Sequence, residues 1–405
     1  MDIRPILSTL SRHKTAAALI VLEVALTCAI VCNALFLVSQ RLEKISMPSG
    51  IVENELVIIR LSGIGKHTDG MVRTREDLNS MRAIPGVRNV TTVNQIPFRS
   101  GSSSSSISRE LNQDRPTMDA SMYTISENAI STLGLQLIAG RDFLPNEFID
   151  YDAVVKQGAA RDRAMPVIFS RETAREMDPT GNAVGKKFYL GKQPLTVVGV
   201  VDQLSTPGGW DGNWTKSMIL PMRRSFDEST YVLRTDPSRR DEVLKGALAA
   251  LEHNDPNRLV REKLTYQEQR ADYFKNDRSM VGLLVTVCVA LLVVTALGIV
   301  GLASFWVQQR SKQIGIRRAL GATRGQILRY FQTENFLLAT LGIVLGMLAA
   351  YAINLALMNM YELPRMPLLY LPLGAVLLWM LGQIAVFGPA RRAAAVPPAV
   401  ATRGA

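Results

Sequence analysis

Four stretches of this chain carry almost no charge, and they restrict its fold more than any other feature. Residues 15–40 hold one charged side chain, Glu23; residues 279–309, 335–361 and 366–390 hold none. Each exceeds the roughly 20 residues an α-helix needs to cross a hydrocarbon core, so four transmembrane helices are predicted. The first follows Arg12, His13 and Lys14, as a signal peptide would. Its apolar run is longer than the roughly 7–15 residues of a signal h-region, and no A-x-A cleavage site follows, so a retained signal-anchor is expected.

Charge placement sets the predicted orientation. The N-terminal flank carries Arg4, Arg12 and Lys14 against Asp2, the tail carries Arg391, Arg392 and Arg403, and the loop 310–329 is basic with no acid. These three segments lie on one side of a four-span topology, and the positive-inside rule makes that side cytoplasmic. Both termini are then cytoplasmic, and the segment between the first two spans lies outside, near-balanced in acids and bases. The formal net charge of +11 is therefore read as an orientation signal rather than a nucleic-acid surface, and no nucleic-acid partner is expected. Cys28, Cys32 and Cys288 all fall inside predicted spans, so disulfides do not hold the external domain together. A bacterial inner membrane fits this pattern.

The external segment predicts a mixed α+β domain. IVENELVIIRL (51–61) reads as a strand, TREDLNSMRAIPG (74–86) as a helix capped by Thr74 with Asp77 three residues on, and VRNVTTVNQI (87–96) as a second strand. A second strand–helix–strand unit follows at 229–235, 236–254 (Pro237 in its first turn) and 258–266, and the two units are expected to pack side by side. Between them GSSSSSIS (101–108) reads as a loop, and KKFYL and LTVVGVV as strands of a β-rich module punctuated by Gly181, Gly185 and Gly191.

Little in the sequence argues for chemistry. GNAVGKK (181–187) has three residues between its glycines, where a phosphate loop has four, and no Ser or Thr after the lysine, so it reads as a turn. His13, His67 and His253 are scattered without metal-ligand spacing, and no G-x-S-x-G occurs. No catalytic, cofactor or metal residue is assigned, and the chain is not expected to be an enzyme. Two intramembrane features stand out. Glu23 is an acid within a span, a functional candidate weighed against a packing role. Gly342 and Gly346 form a G-x-x-x-G pair, with Ala350 one turn later, that permits close helix contact within the chain or across a dimer.

The loop RSKQIGIRRALGATRGQILR has more pattern than lipid attraction requires. Ile316, Ala319 and Leu320 share one helical face, Gly315 and Gly321 bracket a short helix as hinges, and Thr323 with Gln326 forms a capping box that restarts the chain into the third span. A short hinged helix across the ends of two spans suits docking to a partner. The alternative is a basic loop held only by anionic lipid.

The stretch RSKQIGIRRALGATRGQILRYFQTENFLLATLGIVLGMLAAY (310–351) and the tail PARRAAAVPPAVATR (389–403) resemble the permeases of the mechanotransmission (type VII) ABC transporters, which include macrolide exporters, lipoprotein-releasing permeases and the cell-division permease. The external STLGLQLIAGRDF and PVIFSRETAREMDPTGNAVGKKFYL resemble the macrolide-exporter-like periplasmic domain. Residues 1–14 read as a short amphipathic helix in the cytoplasmic membrane interface (Ile3, Ile6, Leu7 and Leu10 apolar), and with the resemblance the expected spans are 15–40, 280–309, 331–358 and 368–388, with a periplasmic region at 41–279. That region would comprise a first porter-like half (41–115), an inserted β-rich module (116–225), a second half (226–265) and a stalk (266–279). A coupling-helix loop (310–330), a short periplasmic turn (359–367) and a cytoplasmic tail (389–405) complete the division. Gln313, Ile314, Gly315, Ile316, Arg317, Arg318, Ala319, Leu320, Gly321 and Ala322 would form the coupling helix that docks on an ABC ATPase. Gln313 stands where the family usually has Glu. With 14 residues before the first span, the ATPase dimer is expected as a separate subunit that binds ATP and Mg. A second permease copy or a paralogue is the other expected partner, with a periplasmic adaptor, an outer-membrane channel and anionic lipid further candidates. The implied function is tripartite efflux of an antibiotic-like or peptide substrate. Lipoprotein extraction and non-transporting regulation of a periplasmic enzyme or sensor are the alternatives.

Overall fold

The computed structural model describes residues 14–63, 69–157, 164–208, 214–361 and 365–395. The interfacial helix expected at 1–14 lies outside these residues, apart from Lys14. So do His67, residues 362–364 of the expected turn and residues 396–405 of the tail. The described chain falls into two compact units, one formed by residues up to Ile45 and from Asn276 onward, the other by Ser46–Lys275.

In chain order the principal elements are α1 (Lys14–Ser46), β1 (Leu56–Ser62), α2 (Gly70–Arg82), β2 (Val87–Val93), β3 (Ser104–Ile107), β4 (Met118–Thr124), β5 (Leu137–Gly140), β6 (Ile149–Asp150), β7 (Met165–Ser170), β8 (Lys187–Leu190), β9 (Gln193–Val201), β10 (Ser217–Leu220), β11 (Met222–Arg223), β12 (Thr230–Thr235), α3 (Arg240–Asn254), β13 (Leu259–Thr265), α4 (Lys275–Gln309), α5 (Ser311–Ala319), α6 (Arg324–Tyr361) and α7 (Tyr370–Ala395). α1, α4, α6 and α7 are each long and apolar enough to cross a membrane. The architecture is thus four apolar helices, with a large α+β domain inserted between the first and the second.

Lipid gives apolar side chains no reason to cluster, so helices in it associate through close packing and polar contacts. The first unit uses both. A Cβ added at Gly342 of α6 would sit 2.8 Å from Val24 Cβ and 2.9 Å from the Val21 carbonyl; one at Gly346 would sit 2.6 Å from the Ala25 carbonyl. Only glycine lets α6 approach the α1 backbone there. Asn33 donates from α1 to the Ala350 carbonyl at 3.1 Å, and the Thr27 and Thr295 hydroxyls meet at 2.8 Å between α1 and α4. Where α1 ends and α4 begins, buried Asp277 pairs with Arg41 and Lys44.

The second unit holds two sheets. The smaller runs β13-β1-β12-β2, antiparallel throughout. The core against it combines strand residues such as Ile59, Val90 and Leu233 with Leu78 and Met81 of α2 and Val243, Ala247 and Leu251 of α3. This is the split β-α-β arrangement. The two expected strand–helix–strand units therefore do not lie side by side: their strands interleave into one sheet, because β1 pairs with β12 and β13 and not with β2. The larger, seven-stranded sheet runs β3-β4-β10-β7-β9-β5, with β8 on β9. Its core includes Val167, Phe169, Leu195, Val197, Met218 and Leu220.

Two local readings are corrected. Part of the serine run expected as a loop is strand β3, paired to β4 in register Ser104↔Ser121 to Ile107↔Met118, with Ile107 fully buried. It belongs to the larger sheet although it precedes residue 116. Cross-strand pairing and one anchoring isoleucine override the low strand propensity of serine. Thr74 is no cap either. α2 starts at Gly70, and the Thr74 hydroxyl donates back to the Gly70 carbonyl at 2.7 Å. Asp77, expected in the first turn, is fully buried and accepts from Tyr231 Oη (2.6 Å), Asn254 Nδ2 (2.9 Å) and both terminal nitrogens of Arg258 (2.5 and 2.9 Å). Burial, with the Asp77 charge beside it, pushes the Tyr231 phenol well above its ordinary range.

Candidate functional site

The basic loop folds into a short helix with well-defined ends. α4 stops at Gln309, Arg310 breaks the helical path with φ −103° and ψ 10°, and α5 runs from Ser311 to Ala319. Gly315 therefore lies inside the helix and is buried, not at its start. The turn before α5 is made by Arg310, and Gly321 supplies the break after it. Gly321 has φ +98°, a conformation costly to any residue with a Cβ. Its N–H donates to the Arg318 carbonyl at 3.1 Å and that of Ala322 to the Arg317 carbonyl at 3.0 Å, the Schellman pattern that satisfies the last carbonyls of a helix. The predicted capping box then opens α6: Thr323 N–H donates to Gln326 Oε1 (2.9 Å) and Gln326 N–H to the Thr323 hydroxyl (3.3 Å).

The helix is held on its inner face by two different means. Ile314 packs among Ile327 and Phe331 of α6 and Ala390, Ala393 and Ala394 of α7. Arg310 reaches α6, placing Nη1 3.0 and 2.9 Å from the two carboxylate oxygens of Glu334, with both side chains buried. The Trp306 ring lies 5.6 Å from the guanidinium. Sequence reading counts Arg310 only as one loop charge. The signal it misses is Glu334, the sole acid at the edge of an otherwise uncharged span.

The outer face is the unusual one. Leu320 is 83% exposed and Ile316 48% exposed, and Gln313, Arg317, Ala319 and Gly321 are also exposed. The predicted stripe Ile316–Ala319–Leu320 thus points away from the chain, flanked by Arg317, whose guanidinium lies 5.1 Å from the Tyr330 ring centroid. Arg318 and Ala322 are half-buried. The helix thus presents an apolar stripe rimmed by cations on its exposed side, while its other side is held by α6 and α7.

The other candidates are separate from this loop. Glu23 is half-buried on α1, and a Cβ added at Gly298 of α4 would sit 2.6 Å from its Oε2, so the carboxylate lies flat against the α4 backbone. Gly342 and Gly346 face α1 within the same chain, as described above. GNAVGKK is a turn closed by Asp178, which accepts from Thr180 Oγ1 (2.8 Å), Asn182 N–H (3.2 Å) and Lys186 Nζ (2.7 Å). The Lys186 hydrogen bond, with those from Thr180, pulls the Asp178 carboxyl down to about 2 despite opposing desolvation. Among the described residues no three His, Cys, Asp or Glu side chains gather as metal ligands.

Four apolar helices, a large domain between the first two and a short exposed helix between the next two define a permease-type membrane protein. Residues 18–251 match the family model of the MacB-like periplasmic core domain, and residues 285–398 that of the FtsX-like permease C-terminal region. The chain belongs to the MacB/FtsX-like ABC transporter permeases. It is 24% identical over 339 residues to the uncharacterized ABC transporter permease YknZ of Bacillus subtilis, covering 82% of this chain and 79% of that one. It is 27% identical over 296 residues to the macrolide export ATP-binding/permease protein MacB of Chromobacterium violaceum, covering 69% of this chain and 43% of MacB. The chain therefore spans less than half of that relative. The periplasmic region of MacB from Actinobacillus actinomycetemcomitans is similar to 56% of this chain over 95% of its own length, at 16% identity and a TM-score of 0.31.

Proposed function

We propose that the chain is the permease subunit of an ATP-driven transporter in which α5 docks on a separate cytoplasmic ABC ATPase dimer. The observation that carries this reading is the exposed stripe of Ile316 and Leu320 on a helix fixed to α6 and α7 through Arg310 and Ile314. An ATPase that moves α5 then moves the spans with it, because a buried ion pair and a packed core resist sliding. α1 and α4 run directly into the extramembrane domain in sequence, so movement of the spans is passed to that domain on the periplasmic side. The chain supplies mechanics, and the partner supplies ATP and Mg chemistry. By likeness to the macrolide export proteins, we assign the cargo to antibiotic-like or peptide substrates in tripartite efflux, with a second permease copy or paralogue, an adaptor and an outer-membrane channel as partners.

The test is recovery of the ATPase from native membranes. The Arg317→Glu/Arg318→Glu variant should insert normally and lose the ATPase that co-purifies with the unaltered chain. Undiminished ATPase recovery would remove α5 as the docking element.

A further inference from the structure

The extramembrane domain contains a polar cleft of about 350 Å³ that the coupling reading does not use. One wall is a single face of α2, carrying Arg75, Asn79 and Arg82 at helical spacing, with Met71 and Leu78 as its apolar part. The opposite wall carries Glu127, Arg223 and Arg224. The arginines of the two walls are differently employed. Arg223 is saturated: Nε donates to Glu127 at 2.8 Å and Nη1 to Asp150 at 3.2 Å. Arg224 stacks 3.7 Å from the Tyr151 ring centroid, donates from Nε to the Thr124 hydroxyl at 2.9 Å and lies 3.7 Å from exposed Glu228. These two brace the wall. Arg75 is exposed and reaches its nearest paired carboxylate, Asp150, only at 3.6 Å. Arg82 is exposed and donates to a neutral group, Asn79 Oδ1, at 3.1 Å. Burial raises the Glu127 carboxyl, but the Arg223 hydrogen bond and the nearby Arg75 charge outweigh it and keep the carboxyl low. Four guanidiniums therefore line the cleft with one carboxylate, Glu127, while Asp150 and Glu228 pair with them from outside the lining, which leaves guanidinium in excess over carboxylate by one and two forks under-used.

We propose that this cleft binds a singly charged carboxylate ligand, gripped by Arg75 and Arg82 and seated on Met71 and Leu78. The planar guanidinium fork matches a carboxylate. One surplus charge matches a monoanion, whereas a phosphate dianion would leave negative charge beside Glu127. The volume lies at the lower end of the roughly 300–1,000 Å³ of ligand sites, so the cleft takes the acidic end of a ligand. That end belongs to a peptide C-terminus or to a small organic acid. The inference needs only the extramembrane domain and stands or falls independently of ATPase docking.

The test uses the full chain in nanodiscs and fluorescence anisotropy of dansyl-Gly-Ala-Leu with a free C-terminus. Saturable binding is expected, weakened about tenfold in Arg75→Gln and in Arg82→Gln, the change that losing one charge-assisted hydrogen bond brings. The C-terminal amide of the same peptide should bind at least as poorly as those variants bind the acid. Displacement by butyrate as strong as by unlabelled peptide acid identifies a small organic acid as the source; stronger displacement by the peptide identifies a peptide end. Both arginines are exposed, so their variants should melt with the unaltered protein, and either one suffices should the other fail to fold. No saturable binding, equal binding of acid and amide, or unchanged binding by both variants would overturn the proposal and leave the arginines as braces only.

Discussion

Glu334→Ala removes the carboxylate that anchors Arg310, and its effect follows from burial. The two side chains are 8% and 2% exposed, and one nitrogen of Arg310 contacts both Glu334 oxygens at about 3 Å. Deleting one partner strands the other charge away from water, a change that costs ~3–5 kcal/mol in buried pairs. Arg310 is the residue from which α5 starts, so the relief available to the stranded guanidinium is to swing outward and take the start of α5 with it. At ~1.4 kcal/mol per factor of ten, the opening equilibrium of α5 should rise by about two to three and a half powers of ten. Hydrogen exchange followed by mass spectrometry over residues 311–321, with the protein in nanodiscs, reads this directly. A segment of α7 serves as the internal standard. Replacing both partners by apolar residues, Arg310→Met with Glu334→Leu, should restore much of the protection, because no charge is then left unpaired. Exchange within about twofold of the unaltered protein in Glu334→Ala, or a double variant as labile as the single one, would refute the anchoring role of the pair.

Three further outcomes are expected. Gly346→Ala should lower the melting temperature in detergent, because its Cβ would press on the Ala25 carbonyl at 2.6 Å at a cost of ~1–3 kcal/mol; Gly301→Ala, which meets nothing within 4 Å, should change it little. Asp77→Ala should destabilise the extramembrane domain by ~3 kcal/mol, the low end for a broken buried pair, because Asp255 remains 3.6 Å from Arg258; thermal melting followed by circular dichroism measures it. The Asp178 carboxyl, held at about 2 by Lys186 and Thr180, contributes stability that is present above its unfolded value of roughly 4 and lost as pH falls toward 2. Exchange protection of residues 178–186 should decline across that window, and Asp178→Asn should abolish the pH dependence.

The spans are legible because a charge inside lipid is so costly that a membrane helix must do without it, and a chain folding in water has no need to avoid charge over 20 or more residues. The α+β character of the inserted domain is legible from local periodicity for the same reason that its topology is not. Periodicity reports which residues face a core, but it is silent on which strand lies beside which. The pairing of β1 with β12 and β13 depends on contacts far apart in the chain. β3 is hidden because its serines carry no apolar alternation; its register comes from β4, and only Ile107 marks its buried side. In the basic loop the exposed stripe and the capping box are written in residue spacing, whereas the anchor is not. Arg310 reads as one more cation until Glu334, 24 residues later, is brought beneath it by the fold. Gly315 misleads in the other direction: glycine serves hinges and tight packing alike, and here it sits in a buried stretch of helix.

The interleaved small sheet has a consequence for biogenesis. β1 and β2 find their partner strands in β12 and β13; Arg60 and Thr230, hydrogen-bonded neighbours in the finished sheet, are 170 residues apart in the chain. As the polypeptide is made, the pairing of the first two strands cannot be completed until β12 and β13 follow, after every strand of the larger sheet. The last strand pair to be made completes the sheet, and only one short helix, Tyr266–Tyr273, separates β13 from the second apolar helix in sequence.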